Sequence, residues 1–248
     1  MINKDINEQE EKQGNEYLSK IYSYARRPLS DYPNQLSQHL SEKFIKKKSG
    51  KLLDVGCGRG DMLKAFQRNN FSVFGIDLSM EAKEMCKPID VQNINLEDKN
   101  FNYSEKNFDV VFSKSLIEHL NDPINFMNSC KKLLSEDGCL VIMTPSWLHH
   151  HWGPFYLDYT HRTPFTLQSL KDLGYLAGFE DVKVEYIYQL PIIWRFSFFK
   201  IFSKIVSFLK IPYLPMYEGL TWIKWPKFFN KFLRFSNEVM LIAVLKKK

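Results

Sequence analysis

The chain has 248 residues, 44% of them hydrophobic, with 34 Lys and Arg against 28 Asp and Glu for a net charge of +6. That is enough chain for one large α/β domain or two small ones, and the charge is too balanced to imply a nucleic-acid partner. No apolar run reaches the ~18 residues of a bilayer-spanning helix, and the opening "MINKDINEQEEKQGNE" is too polar for a signal peptide.

Residues 1–15 read as a polar tail, followed by helical stretches at Tyr17–Arg27 and Gln35–Lys48. From there the pattern alternates. Strands are predicted at Leu52–Val55, Ser72–Ile76, Asp90–Ile94, Asp109–Ser113, Cys139–Met143 and Val182–Tyr188. Helices are predicted between most of them, at Asp61–Arg68, Met80–Met85, Pro123–Leu134 and Leu167–Ala177. Such alternation argues for βαβ units and a mostly parallel sheet. In the last of these helices Thr166 is placed to cap, Leu167, Leu170, Leu173 and Leu176 recur at helical spacing, and Gly178 ends the run. Four scattered cysteines (Cys57, Cys86, Cys130, Cys139) form no C-x-x-C pair and read as reduced thiols of a cytoplasmic chain.

The segment after Tyr188 fits no compact αβ crossover. It holds fifteen aromatics between residues 188 and 235, and eight Lys or Arg against Glu218 alone. Ile192–Lys210, read as one helix, puts Trp194, Phe198, Ile201, Phe202, Ile205 and Phe208 on one arc and Lys200, Lys204 and Lys210 on the other. A Lys-rich amphipathic helix of this kind suits a membrane surface, as does "LTWIKWPKFF" at 220–229. Packing on the sheet, or on a second subunit, satisfies the same pattern. The final strand is "EVMLIAVL", Glu238–Leu245.

The most informative stretch is "KLLDVGCGRGDM", residues 51–62. A dinucleotide loop needs G-x-G-x-x-G, the third glycine letting the helix receive a pyrophosphate. Gly56 and Gly58 fit, but Asp61 stands at the third position and the glycines run G-x-G-x-G to Gly60. Asp54, two residues before the first glycine, would repel a pyrophosphate and suit a cationic amino group, while backbone N–H groups near the next helix could take a carboxylate. Asp77, twenty-one residues after Gly56, is placed to accept the hydroxyls of a ribose.

The ordered set "LLDVGCGRG", "VFGIDLS", "FDVVFSKSLIEHL" and "LLSEDGCLVIMTPS" resembles class I S-adenosylmethionine-dependent methyltransferases. The resemblance covers about residues 50–188, and implies an α/β, Rossmann-like sheet whose seven strands run 3-2-1-4-5-7-6 with strand 7 antiparallel, the helical and aromatic insertion preceding that strand. It implies one domain: N-terminal tail and helices 1–48, cofactor-binding core 49–188, insertion 189–236 and last strand 237–248. The cofactor it implies is S-adenosyl-L-methionine, with Asp54, Gly56, Gly58 and Gly60 at its methionine end, Asp77 and Leu78 at the ribose, Asn95 and Leu96 at adenine, and Ser113 and Lys114 on the methyl-transfer face. Asn95 stands where an aspartate is common.

A hydroxyl acceptor benefits from a general base, for which His119 and His161 are candidates; Glu118, beside His119, either serves the site or only braces its short helix. Relatives reading E-x-x-E-H bind a divalent metal here, but Ser115 replaces the first acid and His149, His150 and His151 are too close together to face one ion, so no metal is expected. The loop "PFYLDYTHRTPFT", 154–166, is similar to one in bacterial methyltransferases of surface-polysaccharide and glycolipid pathways, and makes Asp158, Tyr159 and His161 acceptor-site candidates. The expected function is O-methylation of a sugar or small hydroxylated acceptor, lipid-linked ones included, at the inner face of the membrane if the insertion binds lipid. An NAD-dependent oxidoreductase and a non-catalytic binding module on the same fold remain the alternatives.

Overall fold

The computed structural model describes residues 14–16, 18–20, 23–25, 28–99, 101–214, 216 and 225–247. Residues 1–13 of the N-terminal tail and residues 220–224 of the aromatic stretch lie outside these. Of the helix expected at 17–27, residues 18–20 are helical and 24–25 form a turn.

Seven strands form one sheet in the order β3-β2-β1-β4-β5-β7-β6. They are β1 (Gly50–Val55), β2 (Phe71–Asp77), β3 (Val91–Asn93), β4 (Phe108–Lys114), β5 (Leu134–Pro145), β6 (Asp181–Ile187) and β7 (Met240–Lys246). The first five run parallel, and β7 is antiparallel to both β5 and β6. The topology expected from the sequence is the one observed.

Both faces of the sheet are covered, so its central strands are apolar throughout. Leu53, Val55, Val111, Leu140 and Ile142 face the helices Pro123–Leu133 and Leu167–Leu176, against Phe126, Met127, Cys130 and Leu170. The alternate residues Leu52, Val110, Phe112, Val141 and Met143 face Tyr32–Leu40 and Asp61–Arg68, against Leu36, Leu40, Leu63 and Phe66.

Three expectations change. Leu176 is 72% exposed while Leu170 is fully buried: at ~100° per residue, nine residues on from Leu167 lies about half a turn away from the buried face. Thr166 and Ser169 nonetheless form the capping box that starts this helix. Glu238 does not begin the last strand; its N–H donates to Arg234 O at 2.7 Å and its carboxylate pairs with Arg234 at 2.9 Å, so it closes the helix Lys227–Asn237. The single helix expected over 192–210 is two, Pro191–Arg195 and Phe199–Leu209, separated by the extended backbone of Phe196. Trp194 explains the break. Its indole N–H donates to Tyr188 O at 2.8 Å and its ring stacks on His39 at 4.5 Å, which holds the first piece against the N-terminal helix.

The loop from β1 into helix 61–68 is built on glycines with positive φ, among them Gly60 at 76°. A Cβ there would lie 2.5 Å from Cys86 Sγ. Gly60→Ala is expected to lower unfolding free energy by about 1–3 kcal/mol, read by urea denaturation, with Cys86→Ala in the same chain recovering the steric part of the loss.

Candidate active site

The carboxyl ends of β1, β2 and β4 meet at one edge of the sheet, the position of the ligand crevice in open α/β folds. Gly56 N–H and Cys57 N–H both donate to Ile76 O, at 2.8 and 3.1 Å, which fastens the glycine loop to β2. Asp77 ends β2. Its carboxylate accepts the N–H of Gly58 at 2.8 Å and of Ser79 at 2.9 Å. Each oxygen keeps a further lone pair, so the group is oriented by the backbone and still able to accept a diol. Burial raises its pKa, and these backbone hydrogen bonds oppose the rise.

Asp54 is buried at 3% exposure, and its pKa is raised well above the usual carboxylate range by burial, then by Cys86 and Asp77, with Lys114 opposing. A buried acid in that state gains from the arrival of a cationic group. At the end of β4 the Ser113 hydroxyl is fully buried and has no hydrogen-bond partner. Asp61, at the third position of the glycine motif, sits at the start of its helix, where a dinucleotide would put its pyrophosphate, and pairs there with Arg59 at 2.6 Å. A buried acid at Asp54, a backbone-oriented acid at Asp77, an orphaned hydroxyl and an acid at the phosphate position fit S-adenosylmethionine and not a dinucleotide.

The adenine side differs in detail from expectation. Leu96 is buried in the core, and Asn95 Oδ1 accepts Glu97 N–H at 3.0 Å. Glu97 is itself engaged, accepting the backbone and side-chain N–H groups of Asn121 at 2.8 and 3.1 Å. The N-terminal segment, whose role the sequence did not suggest, lies over this crevice: Asn15 Oδ1 accepts the Ser79 hydroxyl at 2.6 Å, Gly14 lies against Leu78, and Leu18 is the side chain nearest to Gly58.

After β4, Ser115 takes φ 54° and turns the chain into a short 3-10 helix, Ile117–His119. The carbonyl of Glu118 accepts the N–H groups of Arg162 at 2.8 Å and Thr163 at 3.0 Å, which seats the 154–166 loop on this turn. His161 Nδ1 lies 2.6 Å from Phe155 O. A carbonyl can only accept, so Nδ1 carries the proton and Nε2 keeps its lone pair. That Nε2 stands 3.9 Å from Glu118 Oε1, which is fully buried and has no hydrogen-bond partner, while Oε2 accepts from Thr144 at 2.9 Å. Burial raises the Glu118 pKa to about 7 and lowers that of His161, so both groups lean to their neutral forms.

His119 is oriented in the same way. The Thr160 hydroxyl donates to Asp158 at 2.6 Å and accepts from His119 Nδ1 at 2.8 Å, and the two imidazoles lie 4.7 Å apart. Burial and then His161 lower its pKa to about 4. The structure thus brings His119, His161 and, through Thr160, Asp158 into one cluster with Glu118. It does not bring Tyr159, which is 79% exposed. His149, His150 and His151 are each tied to hydroxyl or carbonyl oxygens of residues 146–148 and do not converge. Ligand atoms of Glu118, His119 and His161 lie within 4.8 Å of one another, a donor set able to hold a divalent ion.

Fold, glycine loop and acidic strand ends define an α/β methyltransferase domain with its cofactor crevice at the carboxyl edge. Residues 22–184 match the family model described as a methyltransferase domain, and the chain belongs to that family. It is 37% identical to the ubiquinone biosynthesis O-methyltransferase of Haemophilus ducreyi over 38% of this chain and 44% of that protein. It is 33% identical to the protein of the same name from Histophilus somni over 49% of this chain and 53% of that one. The chain therefore spans about half the length of the curated relatives it matches. A crystal structure of an S-adenosylmethionine-dependent methyltransferase from Archaeoglobus fulgidus superposes with a TM-score of 0.58 over 91% of this chain and 98% of that one, at 19% identity. The two sequence relatives carry ubiquinone-pathway names, so the likeness to surface-polysaccharide enzymes rests on the 154–166 loop alone.

Asp77→Ala is expected to weaken S-adenosylmethionine binding about tenfold or more, the loss of at least one charge-assisted hydrogen bond, measured by titration calorimetry. Because the Asp54 pKa is raised, affinity should fall as pH is lowered and Asp54 gains its proton. In Asp54→Asn the dependence flattens.

Proposed function

We propose that the chain is an S-adenosylmethionine-dependent O-methyltransferase whose acceptor is a small hydroxylated molecule: a sugar or another hydroxylated ring, with lipid-linked forms included. The observation that carries this reading is the Glu118 carboxyl, buried and set 3.9 Å from the lone-pair nitrogen of His161. An alcohol hydroxyl must lose its proton during transfer, and a base in hydrogen-bond reach of it lowers the barrier. The two relatives named above, both ubiquinone biosynthesis O-methyltransferases, support the same direction.

S-adenosylmethionine supplies, when bound, a methyl group already activated on a sulfonium. The chain's own residues then have distinct tasks. Asp54 would hold the amino group of the methionine end and Asp77 the ribose hydroxyls. Asn95, with the core residue Leu96 behind it, would border the adenine, and Ser113 and Lys114 would line the side from which the acceptor approaches. His161 takes the acceptor proton at Nε2, its other nitrogen being fixed by Phe155 O. Glu118, once ionised, stabilises the imidazolium that results. His119, held by Thr160, packs against His161 and keeps its ring in place.

The pH dependence has a defined sign. The useful state is carboxylate with neutral imidazole. Glu118 ionises as pH rises through about 7, and His161, its pKa lowered, is already neutral there. Turnover should therefore rise with pH through about 7 and level off. Glu118→Gln is expected to abolish the inflection, and His161→Ala to lower kcat about 100-fold or more while leaving S-adenosylmethionine affinity within about twofold. Full activity in His161→Ala removes it from the site.

A second reading is favoured by the converging donors of Glu118, His119 and His161, namely a divalent ion held there to bind the acceptor oxygen. Activity that survives exhaustive chelation supports the base; activity lost to chelation and restored by added Mg²⁺, Mn²⁺ or Zn²⁺ supports the ion.

A further inference from the structure

The helix Phe199–Leu209 is built inside out. Its buried side is Ser203 and Val206. The Ser203 hydroxyl lies 2.9 Å from that of Ser236, and Val206 packs with Leu233 and Tyr213. The large side chains face outward: Ile201 is 62% exposed, Phe202 53%, Ile205 49%, Phe208 84% and Leu209 59%, with Phe228 of the neighbouring helix at 74%. Of the alternatives left open by the sequence, packing of this face on the sheet is not what these exposures describe. Contiguous exposure of this kind marks an interaction surface, because each such side chain gains about 1.5–3 kcal/mol on leaving water.

The described charges of the insertion are of one sign, Glu218 lying outside the described residues. Every charged side chain among the described residues of 189–237 is basic. Arg234 is paired with Glu238, and Lys210 stands over the Trp152 ring at 4.7 Å. Lys200, Lys204, Lys227 and Lys231 are exposed, each with a stem long enough to reach past the apolar side chains. A second copy docked on this face would set lysines against lysines. An anionic bilayer matches both the apolar face and its cationic border.

The position is also informative. The insertion leaves β6 at Ile187 and re-enters the sheet at Met240, paired with Pro145 of β5. It therefore sits at the carboxyl edge, the edge of the crevice. Trp152 meets Tyr213 at 6.2 Å, which joins the helix pair to the segment leading into His161.

We propose that the helix Phe199–Leu209, with the start of Lys227–Asn237, is a docking surface for an anionic lipid bilayer, lying in the interface with its aromatics at the acyl boundary and its lysines among the headgroups. In a cytoplasmic chain that surface is the inner leaflet. The inference stands apart from the methyl-transfer reading, since it is tested by binding alone.

The test is flotation of the full chain with phosphatidylcholine vesicles, with and without phosphatidylglycerol. The chain should float with the anionic vesicles, less with neutral ones, and less as salt is raised. Lys200→Gln with Lys204→Gln should lower partition about 25-fold, from about fivefold per lysine near an anionic surface, and Phe202→Glu with Phe208→Glu should abolish it. Circular dichroism and thermal melting establish that each variant is folded; the lysine pair, exposed and unburied, keeps the test valid should the aromatic pair unfold. Wild-type chain that stays behind the anionic vesicles overturns the proposal, as does undiminished flotation of the folded lysine or aromatic variant. A vesicle-free dimer in sedimentation that Phe202→Glu dissociates assigns the face to a second copy and overturns it too.

Discussion

One carbonyl group organises the acceptor side. The Glu118 oxygen accepts two N–H groups, from Arg162 and Thr163, more than forty positions later in the chain. Each hydrogen bond contributes only about 0.5–1.5 kcal/mol net, but together they fix where the 154–166 loop lies. With that loop seated, His161 reaches the Glu118 carboxyl and Thr160 reaches His119. Buried Oε1 would otherwise be a plain cost of about 1–3 kcal/mol for an unmet acceptor. A carboxyl kept dry and unsatisfied beside an imidazole is a stored capacity to stabilise positive charge, which proton transfer to His161 would create.

The same logic of unmet charge runs through the cofactor side. Asp54 and Asp77 lie at the ends of adjacent strands, and the Asp77 carboxylate adds to what burial already does to hinder ionisation of Asp54. Lys114 relieves both Asp54 and Glu118. Its charge is thus shared between the cofactor side and the acceptor side of the site. Transfer of a methyl cation from a sulfonium to an oxygen losing its proton removes charge from the centre. A site that excludes water and supplies fixed dipoles favours that change over the solvated start.

Much of the fold could be read from the sequence because its signals are local. Alternating apolar strands, the Thr166 cap and the positive-φ glycines each depend on a few neighbouring residues, and the strand order followed from the resemblance they support. The failures came where a distant partner decided the outcome. Phe196 breaks a regular amphipathic pattern because Trp194 is claimed by Tyr188 and His39. Glu238 leaves the strand for Arg234. In the site, Asp54, Asp77 and the histidines were legible as residue types, whereas Glu118 read equally well as a brace. Its role depends on contacts with Thr144 and His161, which no spacing announces. Tyr159 was drawn in by its neighbours in the motif, although alternation along the loop turns it to solvent.

The helix pair at the carboxyl edge shows how small residues can determine an exposed surface. Ser203 and Ser236 meet at 2.9 Å, both fully buried. Such close approach of two helices requires short side chains at the contact, which forces the bulky members of the 199–209 pattern to the far side. Replacing that hydroxyl pair by larger apolar groups would thrust the helices apart, and rotating the helix to bury its phenylalanines would carry Ser203 to solvent and strand the buried Ser236 hydroxyl without its partner. The arrangement is therefore not a packing failure that a modest rotation would cure. The inward face is closed by polar complementarity, and the outward face is left with aromatic and aliphatic side chains that water satisfies poorly, bordered by hydrated lysines.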